Sequence, residues 1–387
     1  MNWDSLHSEL TQLRKELHKH PELSGEESDT AGKIVEYAKR YDPDKIIKNL
    51  GGNGVAIIFN GEEDGETVLI RCDLDALPIE EENDFDHKSV NENVSHKCGH
   101  DGHMAIVSGL IPLLSKNKIK KGRVVLLYQP AEETGQGAEL VINDSKFSEI
   151  KPDYSFALHN LPGFEKNEIV IRNKEFASAS KGLIIRLKGK TSHAAEPERG
   201  ITPSLAVSEL IKKLVDLKED KSLKEFSLVT IIHARIGKRA FGTTPGYAEL
   251  MATLRSYKNE DMEILTANTE KLIDQIASQH NLKYEIEWVE EFPATVNYEK
   301  CVKLIEQAAK ENQFTITEVE HPFRWSEDFG HFTTYFEGAL FGLGSGKDQP
   351  QLHNPDFDFP DEIIPTGTKM FYSIINNLLG DKSVSQF

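Results

Sequence analysis

The sequence predicts a two-domain α/β protein, with a smaller α+β domain inserted into a larger one built on a mixed sheet. Three observations carry this expectation. The chain has 387 residues, beyond the length at which a single core stops growing. Strand-like and helix-like stretches alternate through its first part, the pattern of a sheet wrapped by helices. Between Ser180 and Phe292 the order becomes strand, helix, strand, strand, helix, strand, which is that of a ferredoxin-like antiparallel module. The predicted larger domain is therefore discontinuous, residues 1–179 with 293–387, and residues 180–292 form the insert.

The first element is an amphipathic helix, because Leu6, Leu10, Leu13 and Leu17 recur at helical spacing. A second helix is predicted at "DTAGKIVEYAKRY", followed by the short apolar strands "GVAIIF" and "TVLIRCDLDAL". In the latter, Asp73 and Asp75 share one face of an otherwise apolar strand. Buried carboxylates need partners, so Asp73 reads as a residue that orients a metal ligand. The cluster "HKCGHDGH" comes next, then the apolar helix "MAIVSGLIPLL" and the strands "GRVVLLYQ" and "DYSFALH". The insert runs from "GLIIRLKG" through "PSLAVSELIKKLVDL", "FSLVTIIHARIG", "YAELMATLRS" and "DMEILTANTEKLIDQIASQ" to "KYEIEWVE". The chain then resumes with the helix "YEKCVKLIEQAAKE", the loop "WSEDFGHF", the strand "GALFGLGSG", the loop "QLHNPDFDFPDE" and a closing helix. Chemistry-bearing residues repeatedly follow strands, and ligands of open α/β sheets sit at the strands' carboxyl ends.

Composition narrows the function classes. Lys and Arg total 45 against 63 Asp and Glu, a formal charge of -18, which would repel nucleic acid and anionic membrane surfaces alike. No apolar run approaches the ~20 residues that span a bilayer, and the N-terminal stretch lacks the basic start and apolar middle of a signal peptide. The expectation is a cytoplasmic protein with neither nucleic-acid nor membrane partners. Three scattered cysteines, Cys72, Cys98 and Cys301, make no disulfide framework and fit a reducing compartment in which a thiol is free to bind metal.

The window His96–His103 holds three histidines, a cysteine and an aspartate in a chain with 14 histidines and 3 cysteines. A structural zinc site usually closes tight pairs such as C-x-x-C, and none occurs here. Cys98 and His100, alternating on a short extended stretch, can face one metal, with Asp101 supporting a histidine. His96 and His103 read as packing or hydrogen-bonding residues. Further candidates come from afar: Glu132 and Glu133 in "QPAEE", His159 after "YSFAL" and His353 in "QLHNP". A lone histidine at a strand end is more often a surface residue, and an adjacent Glu pair is usually a solvated face. Convergence of such distant groups in one cleft is what points to catalysis. Cys98 as a nucleophile with a histidine base stays open at this stage.

These residues resemble the binuclear-metal amidohydrolases of the aminoacylase, hippurate hydrolase and indoleacetyl-amino-acid hydrolase type, within the wider zinc-carboxypeptidase-like group. The resemblance runs nearly end to end, through "RKELHKHPELSGEE", "RCDLDALPIEE", "HKCGHDGH", "QPAEE", "ALHNLP", "GKTSHAAEPERGITPSLAV", "SEDFGHF" and "LHNPDF" in family order. It implies a mixed-sheet catalytic domain and an insert that acts as lid and dimerisation domain of a homodimer. It also implies Cys98, His100, Glu133, His159 and His353 as ligands of two divalent ions, with Glu132 as general base and acid. His193, in the insert, would reach toward the substrate, in many relatives from the partner subunit. One departure stands out: relatives carry Asn in an "AFNVIP"-like stretch where this chain has "AFGTTP" with Gly242, which bears on substrate recognition.

The implied activity is hydrolysis of the amide bond of N-acyl amino acids or small peptide-like conjugates. A dipeptidase or carboxypeptidase-like peptidase and a non-catalytic metal-binding relative are the alternatives. The mixed thiolate, imidazole and carboxylate set suits zinc or manganese, with cobalt or nickel next, better than magnesium or calcium.

Overall fold

The computed structural model describes residues 2–380; residue 1 and residues 381–387, the two ends of the predicted larger domain, lie outside the described residues. The chain divides into two compact units: Met1–Phe176 with Thr295–His321 and Asp328–Phe387, and Ala177–Ala294 with Pro322–Glu327. The loop "WSEDFGHF", assigned to the larger domain from sequence, is thus split between the units. Residues 322–327 join the second because Ser178 donates its backbone N–H and its hydroxyl to the Phe323 carbonyl, and Arg255 donates to the Arg324 carbonyl and the Ser326 hydroxyl.

The first unit opens with helices α1 (Trp3–Lys19) and α2 (Ser28–Lys39), followed by strands β1 (Lys45–Leu50), β2 (Gly54–Asn60) and β3 (Glu63–Asp73). Helices α3 (His100–Ser108) and α4 (Leu110–Lys116) lead to β4 (Lys121–Gln129), α5 (Gly137–Asn143), β5 (Tyr154–Pro162), β6 (Ile169–Ile171) and β7 (Lys174–Ala177). The second unit comprises β8 (Ala179–Lys188), α6 (Ser204–Asp216), β9 (Ser227–Ile236), β10 (Tyr247–Ser256), α7 (Asn259–Gln279) and β11 (Lys283–Phe292). The first unit resumes with β12 (Thr295–Asn297), α8 (Glu299–Glu311), β13 (Ile316–Glu318), α9 (Gly330–Tyr335), β14 (Glu337–Gly346) and α10 (Ile364–Leu379).

The first unit is a mixed α/β fold on an eight-stranded sheet of order β1-β2-β4-β3-β5-β14-β6-β13. Its centre, β4-β3-β5-β14, is parallel, and β1, β2 and β6 add antiparallel pairs. Every second residue of the central strands enters one core, with Val68 and Ile70, Val124 and Leu126, Phe156, and Ala339 and Phe341 packed with Leu10, Met104, Ile305 and Phe371 from the helices. The intervening Leu69, Val125, Leu127, Ala157 and Leu340 are buried as well, as expected of parallel strands covered on both faces. The strand β1 was not expected. Ile47 and Leu50 are buried and Ile46 is half-buried against the core, with no regular alternation, too weak an apolar signal beside its polar neighbours.

In the second unit β11-β8-β10-β9 form an antiparallel sheet. Leu183, Ile185 and Leu187 alternate inward with Leu250, Ala252 and Leu254, and are buried together with Leu210 of α6 and Ile273 of α7. The opposite face carries the Arg186–Glu287 ion pair at 2.6 Å. No helix among the described residues is long and apolar enough to cross a membrane.

Candidate metal centre

Four parallel strands deliver the chemistry to one edge of the sheet. Asp73 ends β3, Glu132 and Glu133 follow β4, His159 lies near the end of β5, and His353 follows β14. The cluster "HKCGHDGH" joins them in the loop before α3. His100 is already the first residue of that helix and not part of an extended stretch; it is brought in by Gly99, whose φ of +93° turns the chain sharply. A Cβ on Gly99 would lie 2.5 Å from the Asn160 side-chain oxygen, so a side chain there would be strained on both counts.

Donor atoms of Cys98, His100 and His159 lie within 4.8 Å of one another, as do those of Cys98, Glu133 and His353 and those of His100, Glu132 and Glu133. Cys98 belongs to two of these groups. The His100 Nδ1–H donates to the Asp75 carbonyl at 2.9 Å and the His159 Nδ1–H to the Asn160 carbonyl at 2.9 Å. A carbonyl only accepts, so both rings direct Nε2 into the cluster, the arrangement usual for metal-binding histidines. His100 Nε2 is buried with no hydrogen-bond partner and faces Glu132 and Glu133, each at 3.8 Å. Burial pushes the Cys98 thiol well above its ordinary pKa, with Glu133 adding to it. Burial works the other way on His100, yet Cys98, Asp73 and Asp75 hold it well above the usual histidine range. Sulfur, imidazole and carboxylate donors thus meet at one buried point, and this donor set fits a divalent cation.

Glu132 and Glu133 both reach toward His100 Nε2, and the backbone turns sharply just before them. Ala131 adopts φ +52°, a left-handed conformation uncommon for alanine. It is held there by the buried Glu27 carboxylate, which accepts from the Ala131 N–H at 2.8 Å and from Gly25 N–H at 2.7 Å. Asp75 Oδ2 accepts from the Glu133 N–H at 2.9 Å and from Ser24 at 2.7 Å. The work of orienting His100 thus falls to Asp75, whereas Asp73 lies 3.9 Å from His100 Nε2, pairs with Arg71 at 2.6 Å and lies 3.6 Å from His103. The strand ends at Asp73, so the two aspartates do not share a strand face as the sequence suggested.

Behind the cluster runs a buried chain of charges that sequence reasoning missed. Arg14 meets Asp101, Asp358 and Asp361; Asp101 and Glu81 accept from the two ring nitrogens of His18, each at 2.8 Å; Glu81 meets Lys97 at 2.6 Å. Both His18 nitrogens face carboxylates, so the ring is cationic. Burial opposes that charge, but Asp101 and Glu81 outweigh it and raise His18 to about 9. Asp101 therefore does support a histidine, His18 rather than a neighbour in its own cluster. A signal was present: Arg14 and His18 stand on the same buried face of α1 as Leu10 and Leu17, where an amphipathic helix should be apolar. His96 is buried, and burial lowers it to about 3; His103 meets Asn160 Oδ1 at 2.6 Å. His193 lies exposed in the second unit, bridged to Thr243, and Gly242 beside it has open space where a Cβ would stand.

Comparison with known proteins gives a consistent picture. Residues 69–377 match the profile of peptidase family M20/M25/M40. The N-acetyl-L-cysteine deacetylase of Bacillus subtilis is 28% identical over 387 residues, 100% of this chain and 92% of the relative. An uncharacterized hydrolase of Staphylococcus epidermidis is 29% identical, over 95% of this chain and 97% of the relative. Among solved structures, the Bacillus subtilis YXEP protein, described as a dinuclear metal binding peptidase, superposes with a TM-score of 0.83 at 24% identity, covering 98% of this chain and 99% of that one.

Proposed function

The chain belongs to peptidase family M20/M25/M40, and from that premise we propose that it is a metal-dependent amidohydrolase cleaving the amide bond of N-acyl amino acids. The observation that carries this reading is the convergence of Cys98, His100, Glu133, His159 and His353 with a further carboxylate, Glu132, standing alongside. We assign those five as ligands of two divalent ions, zinc or manganese by the mixed sulfur, nitrogen and oxygen set. When bound, such ions supply Lewis acidity, bringing the pKa of water from ~15.7 toward ~7. The chain supplies the proton traffic. Glu132 takes a proton from water and returns it to the leaving nitrogen, a role worth ~10² to 10⁴ in rate, or about 3 to 5 kcal/mol. The Asp328 N–H, 3.4 Å from Glu132 Oε1, helps hold that carboxylate in place. Asp73 with Arg71 holds charge beside His100.

The resemblance extends the proposal. The second unit is assigned as a ferredoxin-like insert acting as lid and dimerisation domain, His193 as a substrate-contacting residue, and the cytoplasm as the compartment. The deacetylase relative favours N-acetyl substrates. Because Gly242 stands where related proteins carry Asn, the leaving amino acid is expected to be held differently, and the open space there allows a direct test by Gly242→Asn. The experiment is hydrolysis of a panel of N-acetyl, N-benzoyl and indoleacetyl amino acids and dipeptides with added zinc or manganese. Turnover of N-acyl amino acids above dipeptides supports the proposal; turnover of dipeptides alone moves it to the peptidase reading.

One contact favours a rival: Cys98 Sγ lies 3.4 Å from His159 Nε2, the pairing of a thiol nucleophile with its base. Burial keeps that thiol protonated. Chelator-resistant activity abolished by a thiol alkylator would establish the rival.

A further inference from the structure

Of the five proposed ligands, His353 alone is half-exposed and stands on a loop, seven residues beyond the end of its strand. It also adopts φ +65°, a left-handed conformation that costs a non-glycine residue about 1 kcal/mol. Something must hold it. The contacts converge on Lys97, the residue preceding Cys98. Its carbonyl accepts from the His353 N–H at 2.8 Å. Its side chain, fully buried, reaches Glu81 Oε1 at 2.6 Å, Asn83 Oδ1 at 2.7 Å and the Phe357 carbonyl at 2.8 Å. Three acceptors demand three N–H donors, which only an ammonium provides. The same loop is also tied to residues 81–83, which the Lys97 side chain grips, by Glu82 N–H to the Pro355 carbonyl at 3.0 Å and Asn83 Nδ2 to the Asp356 carbonyl at 2.9 Å.

We propose that Lys97 is a positioning residue: by pinning the 353–357 loop to the segment that carries Cys98, it holds Cys98 and His353 as partners for one metal ion. The proposal rests on the metal reading above. Lys97 touches neither substrate nor ion and acts through its two flanking contacts. Groups that support ligands in this way are typically worth ~10- to 100-fold in metal affinity.

The test is titration of the chelator-stripped full chain with Co²⁺, reading stoichiometry, affinity and the thiolate-to-cobalt charge-transfer absorption, for the unaltered protein, Lys97→Met and Asn83→Ala. The expected result is two Co²⁺ with a thiolate band for the unaltered protein. Lys97→Met should then bind one of them at least tenfold more weakly with a diminished band, and Asn83→Ala should bind it several-fold more weakly. Lys97→Met takes from the buried Glu81 its ammonium, leaving it His18 and the Ser89 N–H, whereas Asn83 is partly exposed and its variant is the milder one for folding. If Lys97→Met is insoluble, Asn83→Ala decides by the same readings. Two ions bound with unaltered affinity and band in the variants overturn the role of Lys97 while leaving the metal centre intact. An unaltered protein that binds no Co²⁺ overturns the metal reading, and this inference with it.

Discussion

Glu132 and Glu133 both stand 3.8 Å from His100 Nε2, so what separates them is their other contacts: the Asp328 N–H on Glu132, Cys98 and His353 beside Glu133. Glu132→Gln keeps shape and the ligand set but cannot move a proton, so metal content should be unchanged while turnover falls at least about a hundredfold. Elemental analysis beside steady-state kinetics decides; unchanged turnover removes Glu132 from the mechanism. Glu27→Ala leaves the Ala131 N–H without its partner, which should cost about 1 to 3 kcal/mol in denaturant unfolding and lower activity as the Glu pair loses its fixed turn. At this scale the window His96–His103 stood out because a cysteine among histidines is an improbable decoration, whereas the Glu pair, usually a solvated face, and the lone His159 and His353 were candidates only through their places after strands and the resemblance. Arg14 and His18 left a trace, two polar residues on the apolar face of α1, but their partners, like those of Glu81 and Lys97, lie far along the chain, as Asp358 and Phe357 do, and no local spacing reveals them.

The helix α1 shows what an element adds. Its leucines face the core as the periodicity predicted, but the same face carries His18 between Asp101 and Glu81. His18 is raised from 6.5 to about 9, so its contribution is fully present below pH 6.5 and is lost as pH rises through about 9. Glu81 is lowered to about 2: burial opposes the charge, and His18 and Lys97 prevail. Its contribution is present above its ordinary value of 4.5 and is lost as pH falls toward 2. Unfolding free energy measured in chelator should therefore decline between pH 6.5 and 9, and His18→Gln should flatten that decline; an equal slope in both proteins refutes the assignment. In α3, a Cβ on Gly102 would lie 2.3 Å from the Phe359 ring, so Gly102→Ala should destabilise by about 1 to 3 kcal/mol in the same measurement. The longer helices and the central strands were legible from apolar period, but α5, the short strands β6, β7, β12 and β13, and α9, which begins inside the expected loop "WSEDFGHF", were not. The weakly apolar β1 and the exact start of α3 were not, since the first lacks a pattern and the second depends on a glycine turn shaped by Asn160.

Across the whole molecule, the order of elements along the chain was readable, but the order β1-β2-β4-β3-β5-β14-β6-β13 was not, because strand neighbours are chosen by long-range packing. That order is what gathers the site: four parallel strands end on one edge and bring residues from 73 to 353 within reach of one another. Binding energy taken up there should also stabilise the fold. At a free ion concentration 100 times the dissociation constant, one site contributes about 2.7 kcal/mol, so chelator should lower the melting temperature and abolish activity, and zinc or manganese should restore both. The most direct test of the account is a crystal grown with zinc and examined by anomalous scattering. Two zinc ions held by Cys98, His100, Glu133, His159 and His353 are the predicted result. Ions bound elsewhere, or a single ion that leaves Cys98 and His353 unliganded, would contradict it.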